Sequence, residues 1–316
     1  MENIRRPRIV VVGSANTDMI VRVPHIPRPG ETVLGSEFRT AAGGKGANQA
    51  LAAARAAGGG CEIVFIGRVG DDTFGKKARA DLEAEGIRTD FLVTDTDSPS
   101  GVALITVDDK GENAIAVAPG ANAVLSAADM DRAAGIIAAS SLLLIQLEIP
   151  MAAVVRAVEI AAENGVPVML NPAPVPSAGI GEALLRNLAW LTPNETEAEI
   201  LTGIRVHDQA ELDAAADALL DRGVDAVLMT LGADGVFSAT RKERFRTPAF
   251  SVQAVDTTAA GDVFNGALAI ALVEGNPLHE SVQFANAAAA LSVTRPGAQP
   301  SIPGRDEIEN FLSGHR

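Results

Sequence analysis

Cysteine and long hydrophobic runs are almost absent from this sequence of 316 residues. The single cysteine, Cys61, excludes a framework of internal disulfides and is typical of a protein from a reducing compartment. No segment approaches the roughly 18 apolar residues that a membrane-spanning helix requires. The apolar run at residues 9–12 is also far too short for a signal sequence. We therefore expect a soluble, cytoplasmic enzyme with no membrane partner.

Positive charge is scarce as well, with 26 lysines and arginines against 40 aspartates and glutamates, a formal net charge of −14. Nucleic-acid binding requires a basic surface, so this balance argues against a nucleic-acid partner. It does not exclude a nucleotide ligand, whose charge can be met locally by backbone N–H groups and magnesium. Hydrophobic residues make up 47% of the chain, which is enough for a large core.

The stretch at residues 255–266 combines small residues and a threonine pair with the start of a helical pattern. Apolar residues recur at helical spacing from Val263 until Gly275, so residues 259–262 are predicted to form the first turn of a buried helix. Free N–H groups and the positive end of the helix dipole make such a turn an anion site. The carboxylate of Asp262 could accept a proton from a hydroxyl there, or it could simply cap the helix.

From residue 126 onward, predicted helices and strands alternate. Helices are predicted at 126–138, 151–164, 195–202 and 208–222, and strands at 142–147, 166–170, 189–191 and 226–230. This alternation predicts an α/β fold with a mostly parallel central sheet and helices on both faces. Polar residues follow the strands where ligands bind in such sheets, and they are Glu148, Asn171, Asn194 and Thr230.

The N-terminal part predicts a further buried strand at residues 9–12, with Asn16 and Asp18 just beyond its carboxyl end. These two side chains could bind a ligand or merely form a turn. Residues 20–23 and 32–34, together with a predicted hairpin of residues 102–107 and 114–118, have no helices between neighbouring strands. We expect them to form a small antiparallel sheet that stands off the main fold.

Two glycine-rich segments could approach a ligand. Residues 43–46 precede an alanine-rich helix predicted at 47–57, and glycine there would allow close approach of the backbone. Lys45 could contact that ligand or remain a solvated charge. The segment at 70–77 nearly matches a phosphate-binding loop, but Lys77 stands where a serine or threonine must bind magnesium. We therefore reject that segment as the nucleotide site.

Residues 42–50 and 256–266 resemble the two signature stretches of the PfkB carbohydrate kinases. Further matches extend over nearly the whole chain, in order and at consistent spacing, and they lie at residues 13–18, 146–148, 171–174, 192–197, 230–232 and 294–301. The resemblance implies one α/β domain over residues 1–316. Its small β-sheet lid would draw strands from about 19–40 and 102–118 and would join two copies of the chain as a homodimer.

The resemblance also implies a reaction, the ATP-dependent phosphorylation of D-ribose to D-ribose 5-phosphate. Asp262 would be the general base, beside an anion hole formed by Ala259, Ala260, Gly261 and Asp262. Sugar contacts would come from Asn16, Asp18, Gly44, Lys45, Asn48, Glu148 and Asp262. ATP contacts would come from Asn194, Thr230, Gly232, Gly235, Gly261 and Asn286. Glu197 would lie in the Mg²⁺ environment, and a K⁺ site would involve Asp256, Thr258, Ser292, Arg295, Gly297 and Ser301.

Three alternatives remain open. Another PfkB kinase would act on deoxyribose, on a keto-sugar acid such as 2-keto-3-deoxygluconate, or on a nucleoside. A nicotinamide oxidoreductase shares the fold class but requires Gly-x-Gly-x-x-Gly after its first strand, which residues 13–18 lack. A catalytically silent sugar-binding protein would not need Asp262, so its presence beside a glycine argues against that alternative.

Overall fold

The computed structural model describes residues 6–315, which form two β-sheets and surrounding helices. The larger sheet has the strand order β13-β12-β11-β10-β9-β8-β1-β4-β5. In chain order its strands are Arg8–Val12 (β1), Glu62–Gly70 (β4), Arg88–Asp95 (β5), Leu142–Ile145 (β8), Val168–Leu170 (β9), Trp190–Leu191 (β10), Ala226–Thr230 (β11), Val236–Thr240 (β12) and Arg244–Thr247 (β13). The smaller sheet contains Asn16–Val23 (β2), Glu37–Gly43 (β3), Gly101–Asp108 (β6) and Asn113–Ala118 (β7).

The prediction of a mostly parallel sheet with helices on both faces is confirmed. Strands β11 to β5 pair in parallel, and only β12 and β13 add an antiparallel edge. The central strands are continuous apolar runs because helices cover them on both sides. Alternate residues of β1 point to opposite faces, so Val10 and Val12 join one core cluster while Ile9 and Val11 join the other.

The helices follow start and stop signals that are local in sequence. They span Lys45–Ala57 (α1), Thr73–Ala84 (α2), Ala127–Arg132 (α3), Ala134–Ala138 (α4), Met151–Glu163 (α5), Glu182–Leu185 (α6), Glu195–Thr202 (α7), Gln209–Asp221 (α8), Ala260–Val273 (α9), Leu278–Ser292 (α10) and Arg305–Ser313 (α11). Helix α1 ends at Gly58 in the left-handed conformation, with φ 52°, which glycine adopts without strain. The helix predicted at 126–138 is two helices that meet at Ala133.

The smaller sheet, called the lid here, has the strand order β3-β2-β6-β7. The predicted hairpin of β6 and β7 is confirmed, but the prediction of a wholly antiparallel sheet is wrong because β2 pairs with β6 in parallel. The prediction of a strand at 32–34 is also wrong, because β3 begins only at Glu37. Pairing resumes where the N–H of Ser36 donates to the carbonyl of Arg22, and Leu34 is left 88% exposed.

Within residues 6–315, no helix is both long enough and apolar enough to cross a membrane.

Candidate active site

Helix α9 begins at the centre of the site. Its N-cap, Ala259, has φ 61°, the one non-glycine residue with positive φ in the described part of the chain. Such a conformation is strained for alanine, and residues of this kind cluster at functional sites. The N–H of Ala260 donates to the carbonyl of Thr257 at 3.2 Å, so one of the four predicted anion-hole donors is engaged in a turn. Within residues 6–315 the N–H groups of Ala259, Gly261 and Asp262 have no backbone or side-chain acceptor.

The Asp262 carboxylate lies in the first turn of α9, 6% exposed and held by two side-chain amides. Asn48 Nδ2 donates to its Oδ2 at 3.0 Å, and Gln49 Nε2 donates to its Oδ1 at 3.0 Å. Burial raises the pKa of Asp262, although Lys45 and the two amides oppose the rise. A carboxylate with a raised pKa is a better proton acceptor near neutral pH than an ordinary aspartate.

Two more carboxylates and a lysine surround the same space. Ser14 Oγ donates to Glu148 Oε2 at 2.6 Å, and the backbone N–H of Lys45 donates to the same oxygen at 3.1 Å. Burial, and then the charges of Glu148 and Asp262, raise the pKa of Asp18 to about 6. Burial alone would lower the pKa of Lys45, but the surrounding carboxylates raise it. Lys45 is therefore a counter-ion within the cleft and not a solvated surface charge.

Asn16 and Gly44 complete the predicted sugar side. Asn16 Oδ1 accepts a hydrogen bond from Asn122 Nδ2 at 2.8 Å, and both side chains line a cavity of about 420 Å³ together with Glu148. Gly44 has φ 89°, and a Cβ there would lie 2.7 Å from the backbone nitrogen of Asn16. Glycine is thus required for the close approach of β2 and α1. The seven predicted sugar-binding residues lie together, and their contact with a sugar stays a prediction.

The predicted ATP residues lie on the other side of the α9 N-terminus. All six line one cavity of about 440 Å³, and they are Asn194, Thr230, Gly232, Gly235, Gly261 and Asn286. Asn286 Nδ2 donates to the carbonyls of Thr247 and Pro248 at 3.2 Å each. Gly235 has φ 89°, and a Cβ there would lie 2.1 Å from the Thr247 oxygen. Glu195 is the one charged residue among the described residues that line this cavity.

Glu197 suits a water-mediated role near Mg²⁺. Its Oε2 accepts the N–H of Asn194 at 2.9 Å in a capping box, and burial raises the pKa of Glu197. Residues 6–315 contain no group of three or more histidine, cysteine, aspartate or glutamate side chains that could hold a metal ion. Mg²⁺ keeps several waters and binds through one or two carboxylates plus substrate phosphates, so a single acidic residue beside the nucleotide cavity fits it.

The predicted K⁺ residues lie in two joined loops and at the C-terminal end of α10. Asp256 accepts the N–H of Thr258 at 2.9 Å and that of Gly297 at 2.8 Å, and these bonds lower the pKa of Asp256 although its burial opposes them. The Arg295 guanidinium is cationic and pairs with Glu307, so only the backbone carbonyl of Arg295 could be a cation ligand. Ser292 and Ser301 are buried, and each hydroxyl donates to a backbone carbonyl. Carboxylate, hydroxyl and carbonyl oxygens are hard donors, which fits an alkali cation.

Four residues that the sequence analysis did not assign contact the site. Ser14 holds Glu148, Asn122 holds Asn16, and Gln49 holds Asp262 while Gln146 holds Gln49. Ser14, Gln49 and Gln146 lie inside stretches that resemble the PfkB kinases, so their position was a usable signal. Asn122 lies in a loop after the lid and carries no such signal.

Comparison with known proteins finds relatives that match nearly the whole chain. The family model described as pfkB family carbohydrate kinase matches residues 6–305. A ribokinase from Haemophilus influenzae is 45% identical over 307 residues, covering 97% of this chain and 99% of that protein. A deoxyribokinase from Salmonella typhi is 37% identical over 305 residues, covering 96% and 98%. The solved structure of Arabidopsis thaliana ribokinase complexed with ribose and ATP has a TM-score of 0.87 at 33% identity, covering 97% and 98%.

Proposed function

Because the chain belongs to the pfkB family of carbohydrate kinases, we propose a mechanism by which its cleft carries out the ribokinase reaction. The chain phosphorylates D-ribose with ATP to give D-ribose 5-phosphate. One observation carries the mechanism: the buried Asp262 carboxylate lies at a helix N-terminus, next to Gly261 of the neutral cavity and close enough to Asp18 and Glu148 for their charges to interact. In this mechanism a sugar hydroxyl and a nucleotide phosphate meet at that helix N-terminus.

Asp262 acts as the general base in this mechanism. It accepts the proton of the ribose 5-hydroxyl as the oxygen attacks the γ-phosphorus, and ADP leaves. The N–H groups of Gly261 and Asp262, at the positive end of the α9 dipole, stabilise the charge on the transferred phosphoryl group. Positioning and electrostatics supply most of the catalysis in such a transfer, so a rigid buried helix terminus suits the task.

The residues proposed to bind the sugar come from both the lid and the main sheet. Asn16 and Asp18 belong to lid strand β2, whereas Glu148 follows β8 of the main sheet. Ribose hydroxyls that donate to Asp18 and Glu148 would separate the like charges and bridge the lid to the body. Asn122 fixes the orientation of Asn16 by donating to its oxygen, which leaves the amide hydrogens of Asn16 to the sugar.

Two cations are part of the proposal. Mg²⁺, when bound with ATP, neutralises phosphate charge, and Glu197 would hold a water of its shell. For K⁺, Asp256 and the buried serines would order the loops next to the α9 N-terminus. Activity should rise when K⁺ replaces Na⁺ at constant ionic strength. Equal rates in the two salts would remove the K⁺ assignment and leave the kinase mechanism unaffected.

A coupled assay of ADP release over a panel of pentoses, deoxyribose, keto-sugar acids and nucleosides tests the substrate. D-ribose should give the highest kcat/KM. The strongest competitor is deoxyribose, since a deoxyribokinase is 37% identical to this chain. A higher kcat/KM for deoxyribose than for ribose would make deoxyribose the substrate. If none of the sugars in the panel supported ADP release, the kinase assignment would be overturned.

We propose that the lid also joins two chains into a homodimer. Large apolar side chains are exposed on it and on the segment that joins β2 to β3, and they are Leu34, Phe38, Leu104, Ile115 and Val117. Clusters of this kind usually mark an interface. Ile115→Lys, on edge strand β7, should therefore give a monomer by light scattering at micromolar concentration. Val155→Lys, at an exposed apolar position of α5, is the matched control and should keep the dimer mass.

A further inference from the structure

Gln49 occupies a place that neither sugar nor nucleotide can reach. Its side chain lies on α1 and is 0% exposed, yet its Nε2 donates to Asp262 Oδ1 at 3.0 Å and to Asn171 Oδ1 at 3.1 Å. Close packing of α1 on α9 makes this contact possible. A Cβ at Gly266 of α9 would lie 2.6 Å from the backbone carbonyl oxygen of Gln49. Only glycine allows that approach.

The direction of the Gln49 amide follows from chemistry. An ionised carboxylate only accepts hydrogen bonds, so the NH₂ end of Gln49 must face Asp262. Its Oε1 then faces Gln146, whose Nε2 donates to it at 2.6 Å. Gln146 Oε1 is left without a hydrogen-bond partner among residues 6–315. Leaving a buried polar atom unpaired costs about 1–3 kcal/mol. The chain tolerates that cost at Gln146, which contacts Gln49 and is one hydrogen bond further from Asp262.

We infer that Gln49 is a positioning residue for the general base: its amide holds the Asp262 carboxylate ionised and fixed toward the sugar. Gln146 sets the direction of that amide. The inference rests on the proposed function, because it assumes that Asp262 is the base. Other charged groups also face Asp262 from packed elements, and they are Lys45 on α1, Asp18 on β2, Glu148 after β8 and Glu197 on α7. None of them is altered by a substitution at Gln49.

Gln49→Met keeps the length of the side chain and removes its donor. Losing a hydrogen bond to the charged form raises the pKa of Asp262, so the acidic limb of the kcat–pH profile should move to higher pH by roughly one unit. Raising the pH should then restore most of kcat. KM for ribose should stay within about twofold, because Gln49 touches neither substrate. A purely structural defect would instead lower kcat by the same factor at every pH.

Two further variants separate positioning from packing. Asn171→Leu removes a buried partner of Gln49 but no contact of Asp262, so it should lower stability and leave the acidic limb in place. Gln146→Met frees the amide of Gln49 to rotate, so it should move the limb in the same direction as Gln49→Met, by a smaller amount. A limb that moves with Asn171→Leu as far as with Gln49→Met would overturn the inference.

A readout without turnover keeps this inference separate from the proposed function. Infrared difference titration of the ligand-free protein should show the Asp262 carboxyl band, identified by its loss in Asp262→Asn. Its midpoint should rise in Gln49→Met. An unchanged midpoint refutes the positioning role even if ribose kinase activity is intact. A raised midpoint in a chain that phosphorylates no ribose supports the positioning of Asp262 and refutes the proposed function alone.

Discussion

The two halves of the cleft differ in what forms their walls. The half that we propose to bind ribose, called the sugar half, contains the charged side chains of Asp18, Glu148, Asp262 and Lys45. The half that we propose to bind ATP, called the nucleotide half, is formed mainly by backbone, glycine and neutral side chains. Both halves meet the N-terminus of α9, so the difference does not arise from distance to the reaction.

This contrast follows the charge of the ligands. Ribose is neutral and offers only hydroxyls, so its recognition and activation require ionised acceptors that the protein must supply. ATP carries its own negative charge, so a neutral wall with free N–H groups avoids like-charge repulsion. The buried carboxylates of the sugar half therefore lower the stability of the folded chain. The nucleotide half contains few buried charges and has no such cost. Substitutions in the sugar half should accordingly have the larger effects.

The largest effect is expected at the boundary between the halves. Asp262→Asn keeps the shape and removes the proton acceptor, so kcat should fall at least 10²-fold, about 2.7 kcal/mol or more. ATP affinity, measured by calorimetry, should change little. Turnover near that of the unmodified chain would contradict the general-base role and leave Asp262 only a structural role at the helix N-terminus.

The stability of the sugar half should depend on pH through Asp18. Its pKa is about 6 in the folded chain and 3.8 ordinarily, so between these values the folded state binds more protons than the unfolded state. The contribution of Asp18 to the free energy of unfolding therefore falls as pH rises from about 4 to 6, and its full cost remains above pH 6. Asp18→Asn should raise the free energy of unfolding at pH 7.5 by on the order of 2–3 kcal/mol, measured by urea titration.

The matched control for this experiment is Asp109→Asn, in the exposed turn between β6 and β7. It should leave both the stability and its pH dependence nearly unchanged. If Asp18→Asn fails to stabilise the ligand-free chain, the carboxylate cluster is less costly than its burial indicates, and the contrast between the halves weakens.

Sugar discrimination should show an effect of similar or smaller size. A substrate without the 2-hydroxyl would leave a buried group such as Asp18 or Asn16 unpaired, at about 1–3 kcal/mol. Ribose should thus exceed 2-deoxyribose roughly ten- to hundredfold in kcat/KM. Asp18→Ala should narrow the gap, since the unpaired group is gone. Equal efficiency for the two sugars would contradict the choice of ribose.

The smallest effect is expected in the nucleotide half. Asn286→Leu removes two hydrogen bonds to the loop at residues 247–248 but no charge. KM for ATP should rise roughly fivefold, about 1 kcal/mol, with kcat nearly constant. A loss of kcat comparable to that of Asp262→Asn would mean that the nucleotide wall also takes part in the chemical step.

Local patterns predicted much of the molecule. Helix α7 and strand β11 have the predicted bounds, because a capping residue or a short buried apolar run defines each one. The predicted nucleotide residues line one cavity because the carboxyl ends of parallel strands meet at one edge. By contrast, strand β5, the edge hairpin β12–β13 and helix α10 were not predicted, and the division of the chain into domains stays a prediction.

The sequence by itself determined the alternation of elements and the edge at which the polar residues gather. Only the tertiary structure decided the parallel pairing of β2 with β6, whose paired residues Asn16 and Gly101 are 85 positions apart in the sequence. It alone also decided the raised pKa of Asp18 and the contact of Gln49 with Asp262. The physical reason is shared: burial and hydrogen-bond partners depend on which distant segments pack together, and no local pattern of residues carries that information.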